Sequence, residues 1–173
     1  MTKILLTIFL FLNCFVFGQK TVDTKSFGQK ILNGQVKYKD GNENEFMRTL
    51  DSLFCKNPDN KLFYFKTANK IQQMSDGVLS EYFSSIASKY YLTRNSEFIS
   101  NVSALSQKEQ DAWLVQVAFD IAANEQDTKK LPLIKKRLTD LADSCRCAAP
   151  KKDLIKKYNA TLYEKIKIEI KNH

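Results

Sequence analysis

Apolar residues recur at every third or fourth position, almost without interruption, from Asn44 to Ile170. A 3.6-residue period is that of an α-helix burying one face, so this spacing commits the chain to an all-α fold. The clearest case is Val78, Leu79, Tyr82, Phe83, Ile86, Ala87, Tyr90 and Tyr91, pairs that repeat every four residues along one wide stripe.

The same pattern predicts six or seven short helices. The first covers 44–56, around Phe46, Met47, Leu50, Leu53 and Phe54, and Asn57-Pro58-Asp59 stops it. The second covers 60–74 and breaks at Ser75-Asp76-Gly77. The third is the stripe just described, ending at Thr93-Arg94-Asn95. A short fourth carries Phe98, Ile99, Val102 and Leu105. The fifth opens on Ser106-Gln107-Lys108-Glu109, a capping box in which hydroxyl and carboxylate each satisfy a free backbone donor. From Ala112 to Ala123 this helix has little polar face, which predicts a central position with Trp113 in the core. The sixth covers Thr128 to Cys145, with Pro132 in its first turn. The seventh opens at Pro150 and carries Ile155, Tyr158, Leu162, Ile166 and Ile170. Its end, Lys165 to Lys171, alternates with period two, a strand signature, but it continues a longer helical run and is read as helix. Breaks this short place neighbouring helices side by side, so consecutive antiparallel hairpins are expected, as a HEAT-like stack or an irregular bundle. The single helical domain then covers 44–173.

Residues 19–43 are polar, with glycines at 28, 34 and 41. They are expected as an extended leader, partly ordered by docking, with Thr21-Val22 and Val36-Lys37-Tyr38 as candidate short strands. The tetrapeptide Phe-Gly-Gln-Lys occurs at 17–20 and 27–30, too short a match to define a repeat.

The stretch from Asp76-Gly77-Val78-Leu79-Ser80-Glu81-Tyr82 to Asn95-Ser96-Glu97-Phe98-Ile99 resembles a helical-hairpin unit of small exported bacterial HEAT-like proteins of unknown function. The resemblance is local. It implies a curved stack of helices with a binding face and implies no reaction.

The opening reads as an export signal over 1–18. Lys3 precedes the apolar run Ile4 to Leu12, and Val16 and Gly18 fill the small-residue positions before a cleavage point at Gln19. The run to Phe17 is shorter than the roughly 18 to 20 residues a spanning helix needs, and no later segment is more apolar. The expectation is an exported protein, periplasmic or secreted, with no transmembrane span after cleavage. Cys14 follows the apolar run as a lipidated cysteine does, but Leu12 and Asn13 ahead of it are not small, which argues against lipidation. A composition heavy in Lys, Asn, Ile and Phe resembles coding from an AT-rich bacterial genome.

Charge is polarised along the chain. Between Gln19 and Thr128 thirteen basic residues face fourteen acidic ones, whereas between Lys129 and His173 thirteen face five. Lys135, Lys136, Arg137, Lys151, Lys152, Lys156 and Lys157 form a candidate basic surface for an anionic partner; a solvated Lys-rich helix face is the plainer reading. Nucleic acid is not expected, because all but four basic residues are Lys and few have an aromatic neighbour for base stacking.

The cysteines after the signal are Cys55, Cys145 and Cys147. An odd number leaves one thiol over. A Cys55–Cys145 or Cys55–Cys147 bridge is expected, closing a loop of about 90 residues and contributing a few kcal/mol. The other readings are a Cys-x-Cys redox pair or a thiolate metal site, and the latter lacks a credible fourth ligand.

Little else points to catalysis. His173 is the only histidine and the last residue, so histidine triads and two-histidine metal sites have no basis. No glycine run ends in the Gly-Lys-Ser/Thr of a phosphate loop. Two carboxylates suffice for glycoside hydrolysis, which makes Glu109 with Asp111, and Asp120 with Glu125, candidates; Glu109 is already accounted for by the cap. Tyr82, Tyr90, Tyr91 and Phe98 are a candidate ligand groove, but at helical spacing they read as core. Asn101-Val102-Ser103 and Asn159-Ala160-Thr161 match the glycosylation pattern and are read as coincidental. No cofactor and no metal are expected. The reading that fits best is a non-enzymatic protein-binding module whose partner is another protein, in its sharper form a periplasmic immunity or inhibitor protein. The alternatives are a polyanion or membrane-surface binder and a small carboxylate-based cell-wall hydrolase.

Overall fold

A computed structural model describes residues 23–39 and 41–172, and all regular structure among them is helical. The segment read as an export signal, with Cys14, the candidate strand Thr21-Val22 and His173 lie outside the described residues. Eight α-helices run in the order α1 (Thr24–Leu32), α2 (Glu43–Asp51), α3 (Pro58–Gln72), α4 (Gly77–Thr93), α5 (Asn95–Val102), α6 (Gln107–Glu125), α7 (Leu131–Asp143) and α8 (Ala149–Asn172). Short 3-10 turns extend α2 over Ser52–Phe54 and lead into α7 over Thr128–Lys130. The period-two run at the C-terminus is part of α8.

The first difference from expectation is α1, which lies where an extended leader was read. Asp23 caps it, its carboxylate accepting from the backbone N–H groups of Lys25 and Ser26 at 3.1 Å each. The helix ends in a Schellman motif: Gly34 N–H bonds the Ile31 carbonyl, Gln35 N–H bonds the Lys30 carbonyl, and Gly34 adopts φ +69°. Ile31 is fully buried, and Phe27 meets Phe46 of α2 edge-on at 5.3 Å. Gly28, read as a mark of extended chain, is where α1 touches α3: a Cβ there would lie 3.1 Å from the Phe63 ring. With one glycine, Phe27 and Ile31 as its whole apolar face, the helix is too short to show a period. Val36-Lys37-Tyr38 forms no strand.

The second difference is in packing. The most extensive helix pairs are α6 with α8 and α4 with α6, and α1 with α3 and α2 with α4 follow the same alternate-helix rule. The neighbours α7 and α8 do pack closely, but α3 and α4 are not among the closely packed pairs. The longest apolar stripes sit on the even-numbered helices α4, α6 and α8, and burying those stripes on one another takes precedence over pairing each helix with its successor.

Side chains from four helices meet at Trp113 of α6, which has no exposed surface. Phe65 of α3 stacks on it at 5.3 Å, and Phe83 of α4 and Phe98 of α5 approach at 4.8 and 5.8 Å. Its indole N–H donates to Asn69 Oδ1 at 2.9 Å. Asn69 Nδ2 donates to Glu109 Oε1 at 2.8 Å, and Gln73 Nε2 adds a bond to the same oxygen at 2.9 Å. The other Glu109 oxygen accepts from the Ser106 backbone N–H at 3.1 Å and hydroxyl at 2.5 Å, so the expected cap is present and is wired to the core. One edge of α6 reaches the surface at Val115 and Phe119, 39% and 36% exposed, so the helix is central but not enclosed.

The single residue Arg94 separates α4 from α5. Its guanidinium donates to the carbonyls of Phe54 (2.8 Å), Leu53 (3.3 Å) and Cys55 (3.4 Å), fixing the connection between α2 and α3.

Two outcomes test this arrangement. Gly28→Leu drives a branched side chain into the Phe63 ring, an overpacking of about 1 to 3 kcal/mol. Amide exchange over 24–39 is expected to accelerate while the rest keeps its cooperative transition; unchanged protection would contradict the docking of α1. Glu109→Gln tests the cap. The Ser106 hydroxyl first, then Asn69, hold the Glu109 carboxyl below the usual glutamate range. A folded-state pKa below the unfolded one gives stability that is present above the unfolded value and lost as pH falls through the folded one. Urea titrations are therefore expected to show native protein more stable than the variant at pH 7, with the gap shrinking towards pH 3.

Candidate functional site

A groove of about 520 Å³ runs between α7 and α8. Lys135, Leu138, Thr139, Ala142 and Asp143 lie at helical spacing on one edge of α7, and Lys156, Asn159, Ala160, Tyr163 and Glu164 repeat that spacing on α8. Leu138, Ala142 and Asn159 are buried and form the floor. Ala142 and Ala160 are small, which keeps the groove open.

Asn159 holds the groove to the rest of the fold. Its Nδ2 donates to the Leu138 carbonyl at 2.5 Å, and its Oδ1 accepts from the Tyr91 hydroxyl of α4 at 2.6 Å. It is 6% exposed, so the Asn159-Ala160-Thr161 match offers no free amide for a glycan. The amide of Asn101, in the other match, donates to the Tyr90 hydroxyl at 2.9 Å. On the rim, the Tyr163 ring lies under two ammonium groups, Lys135 at 5.8 Å and Lys167 at 5.6 Å. Lys167 also bonds Glu164 at 2.8 Å, the larger reason its pKa is raised. Lys152 and Lys156 share Asp143 at 3.4 and 4.0 Å.

The seven cations read as a basic surface do not act as one face. Lys135 and Lys156 line the groove, while Lys151 lines a separate shallow cleft beside Arg94 and Glu97. Lys136 pairs with Asp140 at 2.7 Å and Arg137 with Glu125 at 3.2 Å; Lys130 is the second cation on Glu125, at 2.9 Å. Lys151 and Lys157 make no ion pair among the described residues.

The carboxylates read as catalytic candidates are also accounted for. Glu109 has four donors and is held ionised, the opposite of a general acid. Asp111 pairs with Lys165 of α8 at 3.4 Å. Glu125 carries its two cations. Asp120 is half-buried and forms no ion pair among the described residues, and its backbone carbonyl accepts from Asn124.

Three of the four aromatic residues are core, as read, and Tyr82 is the exception. Tyr90, Tyr91 and Phe98 are fully buried. Burial, above all, pushes both tyrosine pKa values up; the Glu97 charge adds to this at Tyr90. The neighbouring Asn95 amide pulls Tyr91 slightly the other way, but lacks hydrogen-bond alignment, since that hydroxyl is directed at Asn159. Tyr82 is half-buried and donates to Asp51 at 2.8 Å; partial burial, then that bond, push it up to about 12.

The cysteine pairing differs from both expected bridges. Cys145 and Cys147 stand at disulfide distance from each other, with their Cα atoms 5.3 Å apart. Cys55 is free, its thiol 3.5 Å from the Asn57 carbonyl. The reason is local: Cys145 and Cys147 flank a single residue in the non-helical turn after α7. Among the described residues no group of three or more His, Cys, Asp and Glu side chains is placed to hold a metal ion, and no helix is long and apolar enough to cross a membrane.

Sequence reading flagged Lys135 and Lys156 but missed the groove they border, because Asn159 and Ala160 were read only as a coincidental glycosylation match within an amphipathic helix, and Tyr163 was not singled out. The available signal was the pair of small residues, Ala142 and Ala160, on helices joined by a short turn. Compared with family models, curated proteins and solved structures, the chain matches none.

Proposed function

We propose that this chain is an exported binding module that holds a segment of another protein in the groove between α7 and α8, a site with no enzymatic role. The observation that carries the proposal is the groove's make-up. An apolar floor of Leu138 and Ala142, an aromatic wall at Tyr163 and a rim of alternating charge, Lys135 and Lys156 against Asp143 and Glu164, match the apolar core and polar rim of protein interfaces. Wiring of the rim into Asp143, Glu164 and the Tyr163 face leaves the lysines oriented before a partner arrives, which reduces the ordering cost of association.

The helical-hairpin stack implied by the 76–99 resemblance supports the same reading, since such stacks serve as binding surfaces. Dispersal of the basic residues and pairing of four of them with acids weigh against a polyanion or membrane-surface binder. The occupied Glu109, Asp111 and Glu125 weigh against a carboxylate-based hydrolase. An immunity or inhibitor protein is the sharper form, and a gene for a secreted toxin or enzyme beside this one would favour it.

The test compares the native chain with Ala160→Trp, whose indole fills the groove from an exposed position. Both carry a C-terminal tag and are captured from the cells that make them, at low and high salt. One stoichiometric partner is expected with the native chain, retained at high salt and reduced at least about ten-fold by the indole, about 1.4 kcal/mol. Equal capture by both forms would remove the groove as the site. Recovery of only salt-sensitive polyanions would replace the protein partner with a charged polymer.

A further inference from the structure

We propose that the Cys145–Cys147 pair is a thiol–disulfide exchange site that oxidises a dithiol segment of another polypeptide. This activity is independent of the groove between α7 and α8.

The bridge has no structural task. A disulfide stabilises a fold mainly by restricting the unfolded chain, and the effect grows with the length of chain enclosed. This one encloses Arg146 alone and joins no element to another that the backbone does not already join.

Its surroundings suit exchange. Both cysteines are only half-buried and line a cleft of about 400 Å³. Leu92 and Leu141 give that cleft an apolar wall, while Asn95 and Ser96 supply polar groups. The Nδ2 and Oδ1 of Asn95 are buried beneath the cleft, without a hydrogen-bond partner among the described residues. No carboxylate lines the cleft, and its one charged residue is Arg146. Asp143, the acid at the end of α7, is neutralised by Lys152 and Lys156. Cys147 lies two residues ahead of the 24-residue helix α8. Positive surroundings and a helix N-terminus both favour a thiolate, which makes Cys147 the better leaving group and Cys145 the sulfur attacked.

The reaction balances within the pair and its substrate. A substrate thiolate attacks Cys145 Sγ; the Cys145–Cys147 bond breaks and its electron pair leaves on Cys147. A mixed disulfide joins the substrate to Cys145. The second substrate thiolate then attacks the substrate's own sulfur in that bond and releases Cys145 as thiolate. The substrate leaves as a disulfide, oxidised by two electrons, and the pair is left reduced, its thiolates taking up the two protons that the substrate thiols lost.

The test uses the full chain carrying Cys14→Ser and Cys55→Ser, so that only the pair reports. It is equilibrated across glutathione buffers, and thiols are alkylated and counted by mass. The pair is expected to pass from bridged to reduced within the range that glutathione spans, with helical circular dichroism and unfolding midpoint unchanged on reduction. A synthetic peptide dithiol is expected to be oxidised at least about ten-fold faster than by glutathione disulfide at equal concentration. Adding Cys147→Ser is expected to trap a mixed disulfide when the chain meets the peptide in its oxidised form, located at Cys145 by peptide mapping. A pair that stays bridged across all buffers, or whose reduction lowers the unfolding midpoint, is structural and overturns the proposal. So does peptide oxidation no faster than by glutathione disulfide, a reading that needs no folded variant.

Discussion

Trp113 has no exposed surface, and its indole N–H therefore needs a partner inside the core. Asn69 supplies the acceptor, and the other end of its amide must then be satisfied as well. Glu109 does this while capping the helix that carries Trp113. One buried donor thus fixes the register of α3 against α6, and the stacking of Phe65, Phe83 and Phe98 on the same ring sets where α3, α4 and α5 lie around it. An unpaired buried donor costs about 1 to 3 kcal/mol, a large share of the stability of a small domain. The polar chain from indole to cap is therefore as much a condition of this fold as the apolar cluster.

Asn159 plays the corresponding part in the C-terminal half. Its amide bonds the Leu138 carbonyl of α7 and the Tyr91 hydroxyl of α4, so both buried polar groups are satisfied at one point. Tyr91 in turn packs edge-on against Phe98 at 5.3 Å, and Phe98 lies against Trp113. The floor of the α7–α8 groove is connected in this way, through two aromatic rings, to the centre of the molecule. Its rim stands on exposed lysines and acids, while its base is as fixed as the core.

Helix positions were legible because each of the seven segments from residue 43 onward carries enough apolar residues to define a period. The cap at Ser106 and Glu109 was legible because both partners lie within one turn. What failed did so for physical reasons. Helix α1 has only Phe27, Gly28 and Ile31 on its inner face, and a glycine at a close approach looks in sequence like a glycine in a flexible segment. The pairing of helices depends on which stripes are longest, and adjacency along the chain says nothing of that. The cysteine pairing turned on where α7 stops: the apolar spacing carried a helix through Cys145, whereas the non-helical turn after α7 brings Cys145 and Cys147 together. The groove was invisible because it is defined by what is missing, the side-chain volume at Ala142 and Ala160.

The charge asymmetry shows how composition and structure part company. The excess of thirteen basic over five acidic residues between Lys129 and His173 would, on one face, give a field felt at some distance. Here the excess is distributed around two helices that expose different sides. Lys136, Arg137, Lys152 and Lys156 each reach a carboxylate, and Lys135 lies over an aromatic ring. Lys157 is left to solvent and Lys151 lines a shallow cleft, and interactions of exposed charges beyond about 8 Å are largely screened at physiological salt. A partner drawn to this region therefore meets individual lysines next to acids and apolar surface, and recognition rests on the shape and chemistry of the α7–α8 groove more than on net charge.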